Sequence, residues 1–221
     1  MAHYQHAATR LISPAVQRLF KALPLALAIG ASANALAAAP QDAVFAGGCF
    51  WCMEEAYDKV PGVIETTSGY SGGAADTATY QQVSAERTDH AEVVRVEYDP
   101  DDVSYDQLLE VFWRNIDPFA VDRQFCDAGK SYRSAIFPMN EDQRAMAKAS
   151  LDEMQARFDR EIATQIEDFK AFYPAEDYHQ NYYKTNSLRY NFYKSACGRV
   201  DRLEEVWGDE AGTQGALKGW S

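Results

Sequence analysis

The stretch that most constrains the fold is a short apolar run followed by two glycines and an amphipathic segment, within residues 43–57. The run Val44-Phe45-Ala46 predicts a buried β-strand. Gly47 and Gly48 allow a tight turn and a close approach of the backbone. The next segment has helical spacing, and its apolar face is formed by Phe50, Met53, Tyr57 and Val60. The sequence therefore predicts a strand, a glycine turn and a helix in immediate succession.

Cys49 lies in this predicted turn, at or next to the N-terminus of the helix. Free backbone N–H groups and the positive end of the helix dipole stabilise a negative charge there. A cysteine in this position can have a lowered pKa, and its thiolate is a good nucleophile. The alternative is a small residue that only packs in the turn, but the glycine pair and the adjacent aromatic residues favour the nucleophile.

Further along the chain, strand-like and helix-like patterns alternate. Strands are predicted at residues 63–70, 91–98, 134–137 and 164–169, and helices at residues 104–116, 140–158 and 200–207. Ser104 and Asn140 are typical N-caps. The inward face of the second helix is expected to be Ala145, Met146, Ala149, Met154 and Phe158. Residues 119–133 are predicted to be irregular, and the alternation indicates one layered α/β domain.

Residues 1–39 differ in composition from the rest of the chain. They contain three basic residues and no acidic residue, and an apolar run from Leu23 to Ile29 leads to Ala35-Leu36-Ala37. This pattern predicts a secretory signal peptide cleaved near residues 37–39, and hence a periplasmic or secreted protein. An organellar transit peptide is the alternative. A single domain is predicted over residues 40–207, and the tail, residues 208–221, is expected to be poorly ordered.

The charge distribution excludes two classes of partner. Without the three positive charges of the leader, the formal net charge goes from −12 to −15. Such an acidic domain repels nucleic acid and anionic membranes. The apolar run of the leader is too short for a membrane span. We therefore expect no nucleic-acid partner and no membrane insertion of the mature domain. We also expect a monomer.

The four cysteines, Cys49, Cys52, Cys126 and Cys197, all follow the leader. An even number in an exported protein suggests structural disulfides, and the sequence does not choose among the three pairings. A domain of this size does not need disulfides for stability, so redox chemistry stays open. His90 and His179 are the histidines that follow the leader, and the ligand spacings typical of zinc are missing. We therefore expect no metal site.

Six motifs together resemble those of the A-type peptide methionine sulfoxide reductases. The segment Gly48-Cys49-Phe50-Trp51 is similar to the Gly-Cys-Phe-Trp signature of that family. The other matching segments are Gly69-Tyr70-Ser71-Gly72-Gly73, Thr79-Tyr80-x-x-Val83, His90-Ala91-Glu92, Asp127-x-Gly129-x-x-Tyr132-Arg133-Ser134-Ala135-Ile136 and Phe172-Tyr173-x-Ala175-Glu176-x-x-His179-Gln180. They fall within residues 44–198, in the family's order and close to its spacing. The resemblance implies an α/β fold, as an α+β two-layer sandwich with a mixed sheet, flanking helices and a ferredoxin-like core.

The resemblance also implies an activity, the reduction of methionine S-sulfoxide, in proteins or as the free amino acid, to methionine. Cys49 would attack the sulfoxide sulfur and become a sulfenic acid, which a second cysteine converts to a disulfide. Phe50 and Trp51 would hold the methyl group of the substrate. This chemistry implies no cofactor, because a thioredoxin-like protein or another dithiol supplies the electrons. The unrelated B-type reductases, which act on the opposite epimer, are the alternative within sulfoxide repair.

The candidate residues also suit this chemistry when each is considered by its side chain. The departing oxygen needs a proton, and Glu92 could be the general acid if partial burial raises its pKa. Tyr80 and Tyr132 offer hydroxyl donors to the sulfoxide oxygen. The aromatic rings after Cys49 offer an apolar cage with favourable sulfur–aromatic contacts. Asp127 matches a carboxylate that the family has near the nucleophile, with a less defined role.

Three cysteines compete as the residue that resolves the sulfenic acid. Cys197 is preferred, because related proteins carry a recycling cysteine in the same C-terminal region. Cys52 stands where glycine is usual in the family, one helical turn from Cys49, and could trap the sulfenic acid itself. Cys126, next to Asp127, is a further candidate.

Two interpretations lie outside the family. The segment Cys49-Phe50-Trp51-Cys52 alone fits an exported thioredoxin-like thiol–disulfide oxidoreductase, although the second half shows no evident proline-containing strand loop to face the pair. A non-enzymatic exported domain with two structural disulfides is the other interpretation. The combined motifs favour sulfoxide reduction over both.

Overall fold

The computed structural model describes residues 38–220, so nearly all of the predicted signal peptide lies outside the described residues. The strands are β1 (Gln41–Gly47), β2 (Val63–Ser71), β3 (Ala91–Tyr98), β4 (Arg123–Gln124), β5 (Asp127–Ala128), β6 (Ser134–Ile136), β7 (Gln165–Ile166) and β8 (Phe172–Pro174). The helices are α1 (Phe50–Tyr57), α2 (Tyr80–Val83), α3 (Tyr105–Arg114), α4 (Glu141–Arg157), α5 (Tyr182–Thr185), α6 (Ser187–Ala196), α7 (Arg199–Trp207) and α8 (Gly212–Leu217).

Six of the strands form one mixed sheet in the order β7-β6-β1-β3-β2-β8. Strand β1 lies inside this sheet and is antiparallel to both β3 and β6, whereas β6 and β7 are parallel. Strands β4 and β5 form a separate short hairpin. The predicted α/β class, with a mixed sheet and flanking helices, is confirmed. The hairpin corrects the prediction of an irregular segment at residues 119–133.

Both faces of β1 are buried, which explains its unbroken apolar run. Ala43 and Phe45 face the larger core, which also contains the apolar sides of α1 and α3. Val44 and Ala46 face a smaller core on the other side, together with Phe137. A strand packed on both sides is held rigidly, so the turn that follows it has a fixed position.

Two helices begin at the N-caps that the sequence predicts. The Ser104 hydroxyl accepts a hydrogen bond from the Gln107 N–H at 3.2 Å, and the Gln107 side chain accepts one from the Ser104 N–H at 2.9 Å. The Asn140 side chain caps α4 by accepting from the Gln143 N–H at 2.8 Å. Loss of such a cap typically costs about 1 kcal/mol of stability.

The predicted buried face of α4 is partly wrong. Met154 is buried as expected, but Ala145 and Ala149 are exposed, and Gln143 and Ala147 are buried in their place. Alanine is small and tolerated on either side of a helix, so its spacing does not identify the face that packs on the core. The predicted strand over residues 164–169 is also shorter, because β7 includes only Gln165–Ile166.

The C-terminal tail requires a further correction, because much of the segment expected to be poorly ordered is folded. Helix α8 packs against α3, and its Thr213 hydroxyl donates to the Ala56 carbonyl at 3.0 Å. The same hydroxyl accepts a hydrogen bond from the Asn115 side chain at 3.2 Å. The segment is poor in large apolar residues, so its order comes from these tertiary contacts. No helix within residues 38–220 has the length and hydrophobicity of a membrane-spanning segment.

Candidate active site

The two glycines before Cys49 are required by the space around them. A Cβ atom at Gly47 would collide with the Met53 side chain. Gly48 has a φ of +80°, and Gln124 fills the space that a Cβ atom would need. The resulting turn places Cys49 at the N-cap of α1. The predicted succession of strand, turn and helix is confirmed.

Cys49 and Cys52 lie together in a buried site, where they are 5% and 4% exposed. Burial raises the pKa of Cys49, and the neighbouring Cys52 raises it further, which is the opposite of the lowered pKa expected from its place at the helix N-terminus. The hydrogen bond from the Cys49 thiol lowers the pKa of Cys52 to about 6. The Cys49 thiol keeps its proton and uses it in a hydrogen bond to the Cys52 sulfur. The pair therefore loses its first proton easily and its second with difficulty. The pair therefore carries one negative charge at neutral pH.

The carboxyl group of Glu92 lies at the N-terminus of α1, where it accepts a hydrogen bond from the Phe50 N–H at 3.1 Å. Its side chain belongs to β3 and is 2% exposed. Burial raises the pKa of Glu92 to about 8, against the opposite effect of the Phe50 N–H. At neutral pH this carboxyl group therefore holds a proton beside the residue that follows Cys49, as a general acid must.

Tyr80, Tyr132 and Asp127 face the same site. Burial and the negative charges of Glu92 and Cys49 raise the pKa of both tyrosines, so their hydroxyl groups stay protonated. Burial also raises the pKa of Asp127. Two phenol donors and the two carboxyl groups of Glu92 and Asp127 are therefore close enough to one another and to the Cys49 thiol to influence each other's pKa.

Glu176 fixes the backbone of Tyr80, a contact that the sequence analysis did not anticipate. Its Oε1 accepts a hydrogen bond from the Tyr80 N–H at 2.9 Å, and its Oε2 accepts one from the Tyr70 hydroxyl at 2.9 Å. The carboxylate therefore joins the start of α2 to the sheet. His90, from the same motif as Glu92, has a supporting position. Its Nδ1 accepts from the Gly73 N–H at 3.2 Å.

The two aromatic residues after Cys49 differ in exposure, because Phe50 is buried and Trp51 is partly exposed. The Trp51 Nε1–H donates to Nδ1 of His179 at 3.2 Å. The other support is Tyr182, whose ring stacks on the indole with centroids 3.9 Å apart. Since both contacts fix the indole, it forms a rigid apolar wall beside the cysteine pair. Sequence reasoning assigned no role to His179 or Tyr182.

Sequence reasoning also missed the tyrosines that cover the cysteine pair. Tyr182 and Tyr190 are buried in one cluster with Cys49 and Cys52, and the partly buried Tyr193 packs against it. Tyr190 and Tyr193 both belong to α6. Their spacing of three residues was the available signal, since it places both side chains on one face of a helix.

Tyr193 connects this cover to the catalytic candidates. Its hydroxyl donates to Oδ2 of Asp127, and its hydrogen bond to Cys49 opposes the effect of burial by lowering the pKa of that thiol. Its ring meets Trp51 edge-on, with centroids 6.0 Å apart. The inner face of α6 therefore touches the nucleophile, the carboxyl group and the indole.

Cys126 and Cys197 are joined by a disulfide between residues 71 positions apart. Cys126 lies between β4 and β5 and is exposed, whereas Cys197 is the half-buried C-cap of α6. Cys49 and Cys52 are free thiols. The preference for Cys197 over Cys52 as the resolving residue stays a prediction; in this arrangement the free thiol beside Cys49 is that of Cys52.

One group of three possible metal ligands is present among residues 38–220. The ligand atoms of Cys126, Asp127 and Cys197 lie within 4.8 Å of one another. Two of these atoms are bonded to each other in the disulfide, so they are not available as thiolate ligands. The group therefore offers one carboxylate in this state, too little for a zinc site.

Comparison with known proteins identifies the family. Residues 41–211 match the family model described as peptide methionine sulfoxide reductase. The chain belongs to the peptide methionine sulfoxide reductase family. A relative from Rhizobium meliloti, peptide methionine sulfoxide reductase MsrA 2, is 49% identical over 177 residues, which cover 80% of this chain and 88% of the relative. A second MsrA 2, from Caulobacter vibrioides, is 46% identical over 196 residues, covering 87% of this chain and 100% of the relative.

Solved structures give the same result. Mxr1 from Saccharomyces cerevisiae in its reduced form is 34% identical with a TM-score of 0.63, covering 67% of this chain and 86% of that one. Methionine sulfoxide reductase A of Corynebacterium diphtheriae is 31% identical with a TM-score of 0.61, covering 67% and 76%. The predicted resemblance to the A-type reductases is therefore confirmed, and the chain is a member of an oxidoreductase family.

Proposed function

We propose that this member of the family reduces the S epimer of methionine sulfoxide to methionine, with Cys49 as the nucleophile. One observation carries the proposal. The N-cap thiol of α1 and the Glu92 carboxyl group lie at the same helix end, and the carboxyl group is held there by the Phe50 N–H at 3.1 Å. A nucleophile for sulfur and a proton donor for oxygen are thereby placed side by side.

The reaction follows from these positions. The sulfoxide methyl group packs against the apolar wall of Phe50 and Trp51, and the sulfoxide oxygen accepts hydrogen bonds from Tyr80 and Tyr132. Cys49 passes its proton to the Cys52 thiolate, and its sulfur attacks the sulfoxide sulfur while Glu92 gives its own proton to the oxygen. The sulfide leaves as methionine, and the oxygen ends on Cys49 as a sulfenic acid. A buried site suits this step, because charges interact more strongly away from water.

We further propose that Cys52 resolves the sulfenic acid first. Its sulfur attacks the Cys49 sulfur, a Cys49–Cys52 disulfide forms, and the hydroxyl group of the sulfenic acid departs as water with the proton that the Cys52 thiol gives up. The burial of Cys52 in one cluster with Cys49, one helical turn away, and its lowered pKa, about 6, support this order. Cys197 then has a later role, since its sulfur is bonded to Cys126 in this structure.

The electrons that restore the enzyme come, in our proposal, from a thioredoxin-like dithiol protein, with no prosthetic group. The residues assembled here hold, orient and protonate a sulfoxide without such a group. The acid-free leader with its Ala35-Leu36-Ala37 site supports export to the periplasm or outside the cell. Methionine sulfoxide in damaged proteins and the free amino acid are both within this proposal, and so is a monomeric enzyme.

The test uses the separated S and R epimers of a protected methionine sulfoxide, the reduced protein and dithiothreitol, with the sulfide quantified. We expect turnover of the S epimer and none of the R epimer. Cys49→Ser should abolish turnover of the S epimer. Glu97→Gln, which changes another carboxylate on β3, should leave this turnover unchanged. Turnover of both epimers, or full activity in Cys49→Ser, would refute the proposal.

A further inference from the structure

The buried cysteine pair is poorly placed to meet a protein reductant directly. Cys49 and Cys52 are 5% and 4% exposed, and the inner face of α6 covers them with Tyr190 and Tyr193. Thiol–disulfide exchange needs the attacking sulfur in line with the disulfide that it breaks. A folded partner cannot bring a cysteine through this tyrosine cover while α6 stays in place.

The disulfide at the end of α6 is accessible to a partner, in contrast to the buried cysteine pair. Cys126 is exposed, and Cys197 is half-buried at the C-cap of the helix. The next residue, Asp127, accepts the hydrogen bond from Tyr193, whose hydroxyl also touches the Cys49 thiol. The accessible disulfide is therefore connected to the buried pair through Asp127 and Tyr193.

The outer face of α6 carries two exposed apolar side chains in the turns before this disulfide. Leu188 is 89% exposed and Phe192 is 78% exposed, and their spacing of four residues places them side by side on the helix. At about 1.5 Å and about 100° per residue, Phe192 is about 7.5 Å along the axis and about 140° around it from Cys197, so a partner on this face must reach past the end of the helix to the exposed Cys126. Two large apolar side chains on one exposed helical face are a typical anchor for a protein partner.

The charge of this region differs from that of the chain. The full chain has a net charge of −12, but residues 182–200 contain four basic residues and no acidic residue. Lys184 and Lys194 pair with carboxylates of the chain at 2.6 and 2.5 Å, and Arg199 is buried. Arg189 is exposed beside Leu188. Arg189 is thus the exposed cation of this segment that pairs with no carboxylate within the described residues, and the surface suits a partner with an apolar contact area and an acidic side chain opposite Arg189.

We propose that the outer face of α6, formed by Leu188, Arg189 and Phe192, is the docking surface for the dithiol protein, which reduces the exposed Cys126–Cys197 disulfide first. This proposal rests on the proposed function. The partner's thiolate bonds to the Cys126 sulfur, and Cys197 leaves as a thiolate. The partner's second thiol then attacks the mixed disulfide, so that the partner is oxidised and Cys126 and Cys197 are reduced by two electrons. The reduced pair passes these electrons to the Cys49–Cys52 disulfide by a second exchange.

The first test compares two reductants. A variant with Leu188→Ser and Phe192→Ser is assayed with S-sulfoxide, once with a thioredoxin and its reductase and once with dithiothreitol. Ile64→Ser, an exposed apolar change on β2, is the matched control. We expect kcat/KM for thioredoxin to fall about tenfold or more in the double variant, as the loss of an interface anchor does, and the dithiothreitol rate to stay at the wild-type value.

Each outcome of this test is decisive. An unchanged kcat/KM for thioredoxin would overturn the docking surface, and so would an equal loss with both reductants or an equal loss in Ile64→Ser. Absence of dithiothreitol-driven turnover in the wild type would instead overturn the proposed function, so the two failures are distinguishable.

The second test identifies the sulfur that is attacked. A thioredoxin that lacks its second cysteine forms a mixed disulfide that does not resolve, and mass spectrometry of the peptides locates it. The enzyme is first oxidised with S-sulfoxide in the absence of reductant. We expect the cross-link at Cys126. A cross-link at Cys49 or Cys52 would overturn the proposed order of reduction.

Discussion

The two cysteine pairs of this reductase differ in almost every physical respect. Cys49 and Cys52 are three positions apart, buried and reduced, and they share one proton. Cys126 and Cys197 are 71 positions apart, accessible and oxidised. The difference teaches that the two halves of a redox cycle need different surroundings. Attack on a sulfoxide benefits from a buried proton donor, whereas exchange with a protein needs a sulfur at the surface.

The largest expected effect is the loss of the buried nucleophile. Cys49→Ser should reduce sulfoxide reduction to the background rate, because a hydroxyl group at this position has no comparable nucleophilicity. Cys52→Ser should still release one equivalent of methionine and then stop with a sulfenic acid on Cys49. Trapping of that acid with a sulfenic-acid reagent, followed by mass spectrometry, measures this outcome. Several turnovers by Cys52→Ser would remove Cys52 from the proposed role.

The next largest effect is the loss of unfolding free energy when the exposed Cys126–Cys197 disulfide is removed. A disulfide that closes a loop of this length contributes up to about 4 kcal/mol by the chain-entropy estimate. A variant with Cys126→Ala and Cys197→Ala should therefore unfold at lower urea concentration than the oxidised wild type. Wild type reduced by dithiothreitol is the control and should match the variant. Equal midpoints for the oxidised wild type and the variant would contradict a constraining role.

Glu92→Gln tests whether burial prepares a proton donor for the reduced pair. Glutamine keeps the shape but cannot give a proton, so the single-turnover rate should fall about 10²-fold or more. Glu97→Gln, on the same strand, should change the rate by less than about twofold, within the usual range for a surface substitution. Single-turnover rates of Glu92→Gln within a few-fold of wild type would remove this residue from the acid role.

The pH dependence sharpens the same comparison. The rate should fall below about pH 6, because the cysteine pair is then fully protonated. It should also fall above about pH 8, where Glu92 loses the proton that it must donate. On the acidic and on the alkaline side of the optimum, the rate should approach a tenfold fall per pH unit. Single-turnover rates across this range provide the measurement, and a profile that stays flat above pH 8 would contradict the assignment.

Glu92 also makes a prediction for stability. Its pKa is about 8 in the folded protein against an ordinary value of 4.5, so the folded state binds the proton more tightly than the unfolded state. That contribution is fully present below pH 4.5 and is lost as the pH rises through about 8. Glu92→Gln lacks this titration. Its stability relative to wild type should therefore rise between these pH values, as measured by urea denaturation.

The smallest effect is expected at the link between the two pairs. Tyr193→Phe removes one hydroxyl group that bonds to Asp127 and to the Cys49 thiol. Loss of such a hydrogen bond costs about 1 kcal/mol. The pH dependence of cysteine alkylation should also shift upward, since this hydroxyl lowers the pKa of Cys49. Tyr183→Phe is the control, because its hydroxyl bonds to Asp58 instead.

The sequence predicted those features whose cause is local. The glycine turn, the position of Cys49 and the caps at Ser104 and Asn140 all depend on neighbouring residues. The caps and the turn are determined by side chains and backbone angles within a few residues. Glu92 was singled out by its motif, but its burial and its contact with the Phe50 N–H, 42 positions away, come from the fold.

The features that the sequence did not reveal depend on distant parts of the chain. Helix α8 is ordered by Thr213 and its contacts with Ala56 and Asn115. Tyr193 gained its place in the site from α6, a helix that the sequence analysis did not predict. The Cys126 disulfide could not be derived either, because four cysteines allow three pairings and only the folded chain selects one.

The central claim is that the buried pair performs the reduction and the exposed pair receives the reductant. Fully reduced protein should be mixed with one equivalent of S-sulfoxide, quenched with acid at successive times and alkylated, and its disulfides mapped by mass spectrometry. We expect Cys49–Cys52 to form first, together with methionine, and Cys126–Cys197 to appear afterwards as Cys49 and Cys52 return to thiols. A first disulfide between Cys49 and Cys197, or a Cys49–Cys52 bond that never passes to Cys126–Cys197, would contradict this account.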